Sequence, residues 1–154
     1  MDPQVKIIEC PRDALQGVRE FIPTAAKAAY VNALLGVGFD TVDFGSFVSP
    51  KAIPQMRDTA AVLSQLDLSE TRSKLLAIVA NTRGARDAAT FEEIDFLGFP
   101  FSISEIFQMR NTHKTIEQSL SVLYEVLNIA AVANKKVVTY LSMGFGNPYG
   151  EPWE

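Results

Sequence analysis

Polar side chains lie just after short apolar runs in this sequence, where they could act together on a ligand. Seven such residues lie at the ends of four of the runs or just after them: Arg12, Asp13, Gln16, Asp43, Ser46, Asn81 and Ser142. Carboxylates are preferred ligands of Mg²⁺ and Mn²⁺, and arginine stabilises negative charge that develops on a substrate. The set therefore predicts a site for a hard cation and an oxygen-rich substrate. From the residues alone, an ordinary surface ion pair explains Arg12 and Asp13 equally well.

The apolar runs alternate with longer amphipathic segments. Short apolar runs predict strands at residues 5–9, 41–44, 75–79, 94–97 and 137–141. Apolar residues at helical spacing predict helices at about 24–35, 53–63, 85–90 and 115–134. Thr115 and Gln118 have the spacing of a capping box at the start of the last helix. Five strands separated by four helices predict an α/β fold with a parallel sheet covered by helices.

Two architectures have this order of elements. A doubly wound sheet would be complete with five strands, whereas a barrel of eight βα units needs about 250 residues. A barrel would therefore be only half present in these 154 residues. The turn at residues 10–14 lacks the glycines of a dinucleotide-binding turn, which removes the usual ligand of the doubly wound sheet. In either case we predict that residues 1–154 form a single unit.

Composition limits the classes of function. The chain has 14 Lys and Arg against 18 Asp and Glu, which gives a net charge of -4. Its apolar runs are all shorter than the roughly 20 residues of a membrane span. We therefore expect no binding to nucleic acid and no insertion into a membrane. One cysteine, one histidine and the lack of a signal pattern at residues 1–6 predict a cytoplasmic protein without disulfides.

The single cysteine and histidine are not expected to act as a catalytic pair. Cys10 is far from His113 in the sequence, so we expect a small filler at a strand end. His113 lies in a polar stretch and is expected to be a solvated loop residue. In the same stretch, Arg110 and Lys114 have the charge to meet the phosphates of a nucleotide-bearing ligand.

Four motifs resemble the 3-hydroxy-3-methylglutaryl-CoA lyases of the DRE-TIM metallolyase superfamily. They are Glu-Cys-Pro-Arg-Asp-Ala-Leu-Gln at 9–16, Ser-Phe-Val-Ser-Pro-Lys-Ala-Ile-Pro-Gln-Met at 46–56, Asn-Thr-Arg-Gly at 81–84, and the glycine-rich segment 144–149. The last two are similar to the family's Asn-Leu-Lys-Gly and Gly-x-Pro-Tyr segments. The resemblance covers nearly all of this chain, but it covers only about the N-terminal half of the family's barrel. It therefore implies a partial TIM barrel of the pyruvate carboxyltransferase type.

The resemblance also implies a role for each matched residue. Arg12 would stabilise the enolate that forms as a carbon–carbon bond breaks, and Asp13 would bind Mg²⁺ or Mn²⁺. Asp43 stands where the family has a glutamate, so its carboxylate is one methylene closer to the backbone. Ala14 replaces a glycine of the family and restricts the backbone beside Asp13. Substrate contacts are expected from Gln16, Ser46, Asn81, Asn111 and Ser142.

The implied reaction is cleavage of a 3-hydroxyacyl-CoA to acetyl-CoA and acetoacetate. The family's His-x-His pair, its metal-binding Asn and its loop cysteine have no match here, so we expect weak metal binding and no activity from this chain alone. A Claisen enzyme of the isopropylmalate or homocitrate synthase type is the nearest alternative. Another alternative is a non-catalytic module that binds acyl-CoA or assembles with a second chain. Open edges at the first and fifth strands predict homo-oligomers or association with the other half of the barrel.

Overall fold

A computed structural model describes residues 5–152 as five parallel strands with helices packed against them. The first four and last two residues of the predicted single unit lie outside the described residues. The strands are β1 Ile8–Glu9, β2 Thr41–Ser46, β3 Lys74–Ile78, β4 Ile94–Ser102 and β5 Lys136–Ser142. The helices are α1 Pro11–Gln16, α2 Thr24–Leu35, α3 Thr59–Leu63, α4 Thr82–Ala89, α5 Glu105–Thr112 and α6 Ile116–Val132, with a 3-10 turn at Pro54–Met56. The predicted α/β class and all five strands are confirmed.

The order of the strands distinguishes the two predicted architectures. Each strand pairs in parallel with the next one along the chain, in the order β1-β2-β3-β4-β5. A doubly wound sheet reverses its strand order at a switch point, and the described sheet does not. The architecture is therefore a partial (β/α) barrel. Among residues 5–152, no helix is long and apolar enough to cross a membrane.

The sheet is curved, as a barrel wall must be. Strands lie about 4.8 Å apart, so Tyr140 on β5 would be far from the end of β1 in a flat sheet. Nevertheless, Tyr140 and Arg12 line the same cleft. Gly98 on β4 leaves room for this approach, because a Cβ at that position would lie 3.2 Å from Cε2 of Tyr140. The curvature therefore turns the carboxyl ends of the first and last strands toward one cleft.

Two helices were not predicted, because neither has a clear apolar period. α1 has six residues and begins with Pro11, and among its residues that proline alone is buried. α5 has eight residues, of which Gln108 alone is buried. The structure thus has six helices where four are predicted, since these two short segments consist largely of exposed residues.

The helix predicted at 53–63 is interrupted, because side chains take two of its backbone carbonyls. Lys27 donates a hydrogen bond to the carbonyl of Gln55, and the hydroxyl of Thr59 donates to the carbonyl of Met56 at 2.8 Å. The segment consists instead of the 3-10 turn and the short α3. The predicted strand at 5–9 is also shortened, to the two residues of β1.

Candidate active site

A cleft at the carboxyl ends of the strands is lined by most of the predicted site residues. It has a volume of about 520 Å³. Five of the eight predicted residues line it: Arg12, Asp13, Gln16, Asn111 and Ser142. The curved sheet therefore brings residues that are more than a hundred positions apart in the sequence to one cavity, which we call the site cleft.

Arg12 is held from two sides at the base of the site cleft. Its Nη2 donates to Asp43 Oδ2 at 2.6 Å, and its Nε lies 3.2 and 3.3 Å from the two carboxylate oxygens of Asp43. Its Nη1 donates to Asp13 Oδ1 at 2.8 Å and to Gln16 Oε1 at 3.2 Å. The shorter side chain of Asp43 thus reaches the arginine, and the guanidinium is fixed in one orientation.

Burial sets the electrostatics of this pair. The side chain of Asp43 is fully buried, and burial raises its pKa although the hydrogen bonds and charge of Arg12 act in the opposite direction. Burial alone would lower the pKa of Arg12, but its hydrogen bonds and charge pairing with Asp43 raise it. Arg12 therefore stays cationic at the cleft, where it can stabilise an anion.

Asp13 is the described residue best placed to meet a cation. Its side chain is 71% exposed at the site cleft, and one of its oxygens accepts from Arg12. A hard carboxylate oxygen suits Mg²⁺ or Mn²⁺. However, residues 5–152 contain no group of three or more His, Cys, Asp or Glu that could hold a metal. Among the described residues, Asp13 thus suits one ligand position of such an ion, and these residues do not complete its coordination shell.

Tyr140 was missed by the sequence analysis and lies in the same cleft. Its hydroxyl is the one buried side-chain polar atom without a hydrogen-bond partner among the described residues. Burial and the neighbouring charge of Asp43 raise the pKa of its phenol to about 12. The strand pattern of 137–141 carries no signal for it, because a tyrosine in a strand is ordinary. The phenol therefore belongs to the same buried polar cluster as Asp43 and Arg12, behind the surface of the cleft.

Comparison with known proteins identifies the relatives of this arrangement. No protein-family model matches the sequence. The mitochondrial hydroxymethylglutaryl-CoA lyase of Gallus gallus is 34% identical over 149 residues, which are 95% of this chain and 49% of that protein. The solved HMG-CoA lyase of Bacillus subtilis superposes with a TM-score of 0.91 at 34% identity, over 98% of this chain and 50% of that one.

The chain is homologous to hydroxymethylglutaryl-CoA lyases. It spans about half the length of the curated relatives it matches. An HMG-CoA lyase from Acinetobacter baumannii, solved in complex with coenzyme A and 3-methylmalate, superposes with a TM-score of 0.88 at 27% identity, over 97% of this chain and 48% of that one. The relatives include proteins named mitochondrial and proteins named cytoplasmic. The resemblance found in the four motifs is thereby confirmed.

Three of the residues matched to the lyases do not line the site cleft: Asp43, which lies buried behind Arg12, and Ser46 and Asn81. The hydroxyl of Ser46 is buried, donates to the carbonyl of Ile78 at 3.3 Å and accepts from the amide of Val48 at 3.4 Å. Asn81 caps α4, since its Oδ1 accepts from the amide of Gly84 at 2.9 Å. These contacts give both residues a part in the fold of the lyase-like motifs. Substrate contact by either one stays a prediction.

α5 brings Asn111 of the lyase-like set to the site cleft. Buried Gln108 ties this helix to the sheet, because its Oε1 accepts from the amide of Ser102 at 2.8 Å. At the start of α5, the carboxylate of Glu151 accepts from the hydroxyl of Ser104 and from the amide of Ile106. The chain just after the glycine-rich segment thus folds back onto α5 and supports one wall of the cleft.

Proposed function

We propose that this chain carries part of the active site of a hydroxymethylglutaryl-CoA lyase. In the proposed reaction a 3-hydroxyacyl-CoA is cleaved to acetyl-CoA and acetoacetate. The observation that carries the proposal is that Arg12 pairs with buried Asp43 and lines a cleft together with Asp13 and Gln16. The homology to the lyases and the complex of one relative with coenzyme A support the same reaction class.

Each cleft residue has a chemical task in this proposal. Arg12 stays protonated and donates hydrogen bonds to the anionic oxygen of the departing enolate, while Asp43 keeps the guanidinium in position. Asp13 supplies one ligand to Mg²⁺ or Mn²⁺, an ion that would polarise substrate oxygens when bound. Gln16 and Ser142 line the space where the acyl group would lie.

The nucleotide part of the substrate would meet the α5 side of the site cleft. Asn111 and Thr112 line the cleft at the end of α5, and Arg110 stacks against Tyr149 with 4.9 Å between the guanidinium carbon and the ring centroid. We propose Asn111 as a contact to acyl-CoA.

The single cysteine suits a reducing compartment, and we propose the cytoplasm as the location.

We also propose that the free side of β5 binds the second half of a barrel, supplied by further chain or by another polypeptide. Within residues 5–152, β5 pairs with β4 alone. Leu141 on this strand is 64% exposed, and Phe145 just beyond it is fully exposed. Unpaired strand edges with apolar neighbours favour association. Because the described residues supply one metal ligand, we expect turnover only after the second half has bound.

The decisive test mixes this chain with the half of the Bacillus subtilis lyase that the chain does not match. We expect acetoacetate from 3-hydroxy-3-methylglutaryl-CoA in the mixture with Mg²⁺ or Mn²⁺, and none from either part alone. Arg12→Lys and Asp13→Asn should each abolish it, because they remove the enolate donor and the metal ligand. Gln65→Leu, on the exposed surface after α3, is the control. An associated complex that gives no acetoacetate would contradict the proposal.

A further inference from the structure

α1, which carries Arg12, Asp13 and Gln16, is too short to hold its position by itself. It has six residues, and its N-cap Cys10 makes no side-chain capping hydrogen bond. Isolated helices shorter than about 12–15 residues are marginal in water. The orientation of α1 therefore depends on contacts with the rest of the chain, of which the Arg12–Asp43 pair is one.

Gln55 holds the chain that leaves the other end of α1. Its side chain is buried, with 4% exposed. Its Nε2 donates to the carbonyls of Val18 at 3.1 Å and Glu20 at 2.8 Å, and its Oε1 accepts from the amide of Ile22 at 3.0 Å. All three partners lie in residues 17–22, which continue directly from α1. One amide thus uses both its donors and its acceptor to shape a single loop.

Contacts with α2 fix the position of Gln55 itself. Its backbone carbonyl accepts from the buried Nζ of Lys27 on α2, which also donates to Asp58 Oδ1 at 2.7 Å. Asp58 Oδ2 accepts from the hydroxyl of Thr24 at 2.7 Å. The 3-10 turn that contains Gln55 packs directly against α1. The buried ion pair therefore fixes the turn, and the turn fixes the loop.

From this chain of contacts we infer that Gln55 is a positioning residue for Arg12 and Asp13. It acts through residues 17–22 and so sets how α1 faces the site cleft, without touching the cleft itself. The importance of this position rests on the proposed function, because Arg12 and Asp13 are the residues that would carry the chemistry.

The test compares Gln55→Leu with Gln65→Leu, the same change at a side chain that makes one exposed hydrogen bond, to the carbonyl of Ala61. The first readout is the NMR resonance of the Arg12 Nε–H group, which lies between the Asp43 oxygens and is assigned by its loss in Arg12→Lys. The second is the rate at which a thiol reagent modifies Cys10, the single cysteine, at the start of α1.

We expect Gln55→Leu, which removes all three hydrogen bonds, to shift or broaden the Arg12 resonance and to speed Cys10 modification by at least roughly tenfold, which corresponds to about 1.4 kcal/mol. Gln65→Leu should change neither. Gln55→Glu keeps the length of the side chain and the acceptor for Ile22 but turns an oxygen toward the carbonyls of Val18 and Glu20, so it should change both readouts in the same direction. If Gln55→Leu does not fold, Gln55→Glu tests the positioning role of Gln55 by the same two readouts.

An unchanged Arg12 resonance and Cys10 rate in the folded Gln55 variants would overturn the inference, as would equal changes in the Gln65 control. Both readouts are made without substrate. A failed cleavage assay would therefore count against the proposed function and leave the positioning role of Gln55 intact.

Discussion

Arg12 connects two carboxylates whose surroundings differ completely. Asp43 is fully buried, whereas Asp13 is 71% exposed. The buried partner therefore fixes the guanidinium, and the exposed one stays accessible to ligands. Both aspartates contact the guanidinium of Arg12. Replacing each by asparagine in turn therefore compares the contribution of a buried contact with that of an exposed one.

We expect Asp43→Asn to lower the free energy of unfolding by roughly 3 kcal/mol, because it leaves a largely buried guanidinium with the exposed Asp13 as its one charged partner. Asp13→Asn is the matched change and should cost about 1 kcal/mol or less, since exposed pairs contribute little. Urea unfolding of both variants measures the difference. Equal losses would show that Asp43 does not anchor Arg12.

Tyr140 makes stability depend on pH in the alkaline range. Its pKa is raised from 10.0 to about 12 in the folded protein, so the unfolded chain ionises first. Stability is therefore lost as pH rises from about 10 to about 12. Tyr140→Phe should flatten this part of the curve in urea unfolding at a series of pH values. Tyr124→Phe, at a side chain that is 67% exposed, is the control. The same slope in wild type and Tyr140→Phe would contradict the prediction.

At the scale of elements, close approach of α4 to the loop after β2 requires Gly84. A Cβ at this position would lie 2.4 Å from the carbonyl oxygen of Phe47. The same glycine donates its amide to the cap residue Asn81. The conformation of the Asn-Thr-Arg-Gly motif is thus explained by packing as well as by capping.

Gly84→Ala should destabilise the protein by roughly 1–3 kcal/mol, because the added methyl group forces α4 away from backbone atoms. Gly17→Ala is the matched control, since a Cβ there meets nothing within 4 Å and its φ is -82°. Thermal or urea unfolding checks both. A loss as large in Gly17→Ala would mean that the close contact with Phe47 is not the cause.

The sequence predicted the elements with a strong apolar period and missed those that tertiary contacts create. All five strands and the α6 capping box follow from local patterns, and the box is present between Thr115 and Gln118. α1 and α5 could not be predicted, because ties such as Gln55 and Gln108 hold them. The motifs placed Arg12 and Asp13 at a site, but Tyr140 reaches that site only through the curvature of the sheet.

For the whole molecule, the free side of β5 predicts association that depends on concentration. Lysine on an edge strand opposes pairing with another chain. Leu141→Lys should therefore reduce association in light scattering at rising protein concentration. Val37→Lys, at a side chain that is 66% exposed after α2, is the control and should not. If the wild-type chain is a discrete monomer at all concentrations, the prediction that the free side of β5 mediates association is wrong.

The strand order has a consequence for how the protein is made. Each strand pairs with the strand synthesised just before it, so the sheet can grow from one side as the nascent chain leaves the ribosome. The Arg12–Asp43 contact is available once β2 has emerged. Tyr140 and Ser142 arrive roughly a hundred residues later, which is several seconds at about 5–20 residues per second. During that interval both partners of the ion pair are present in the chain, while the wall that β5 contributes to the cleft is not.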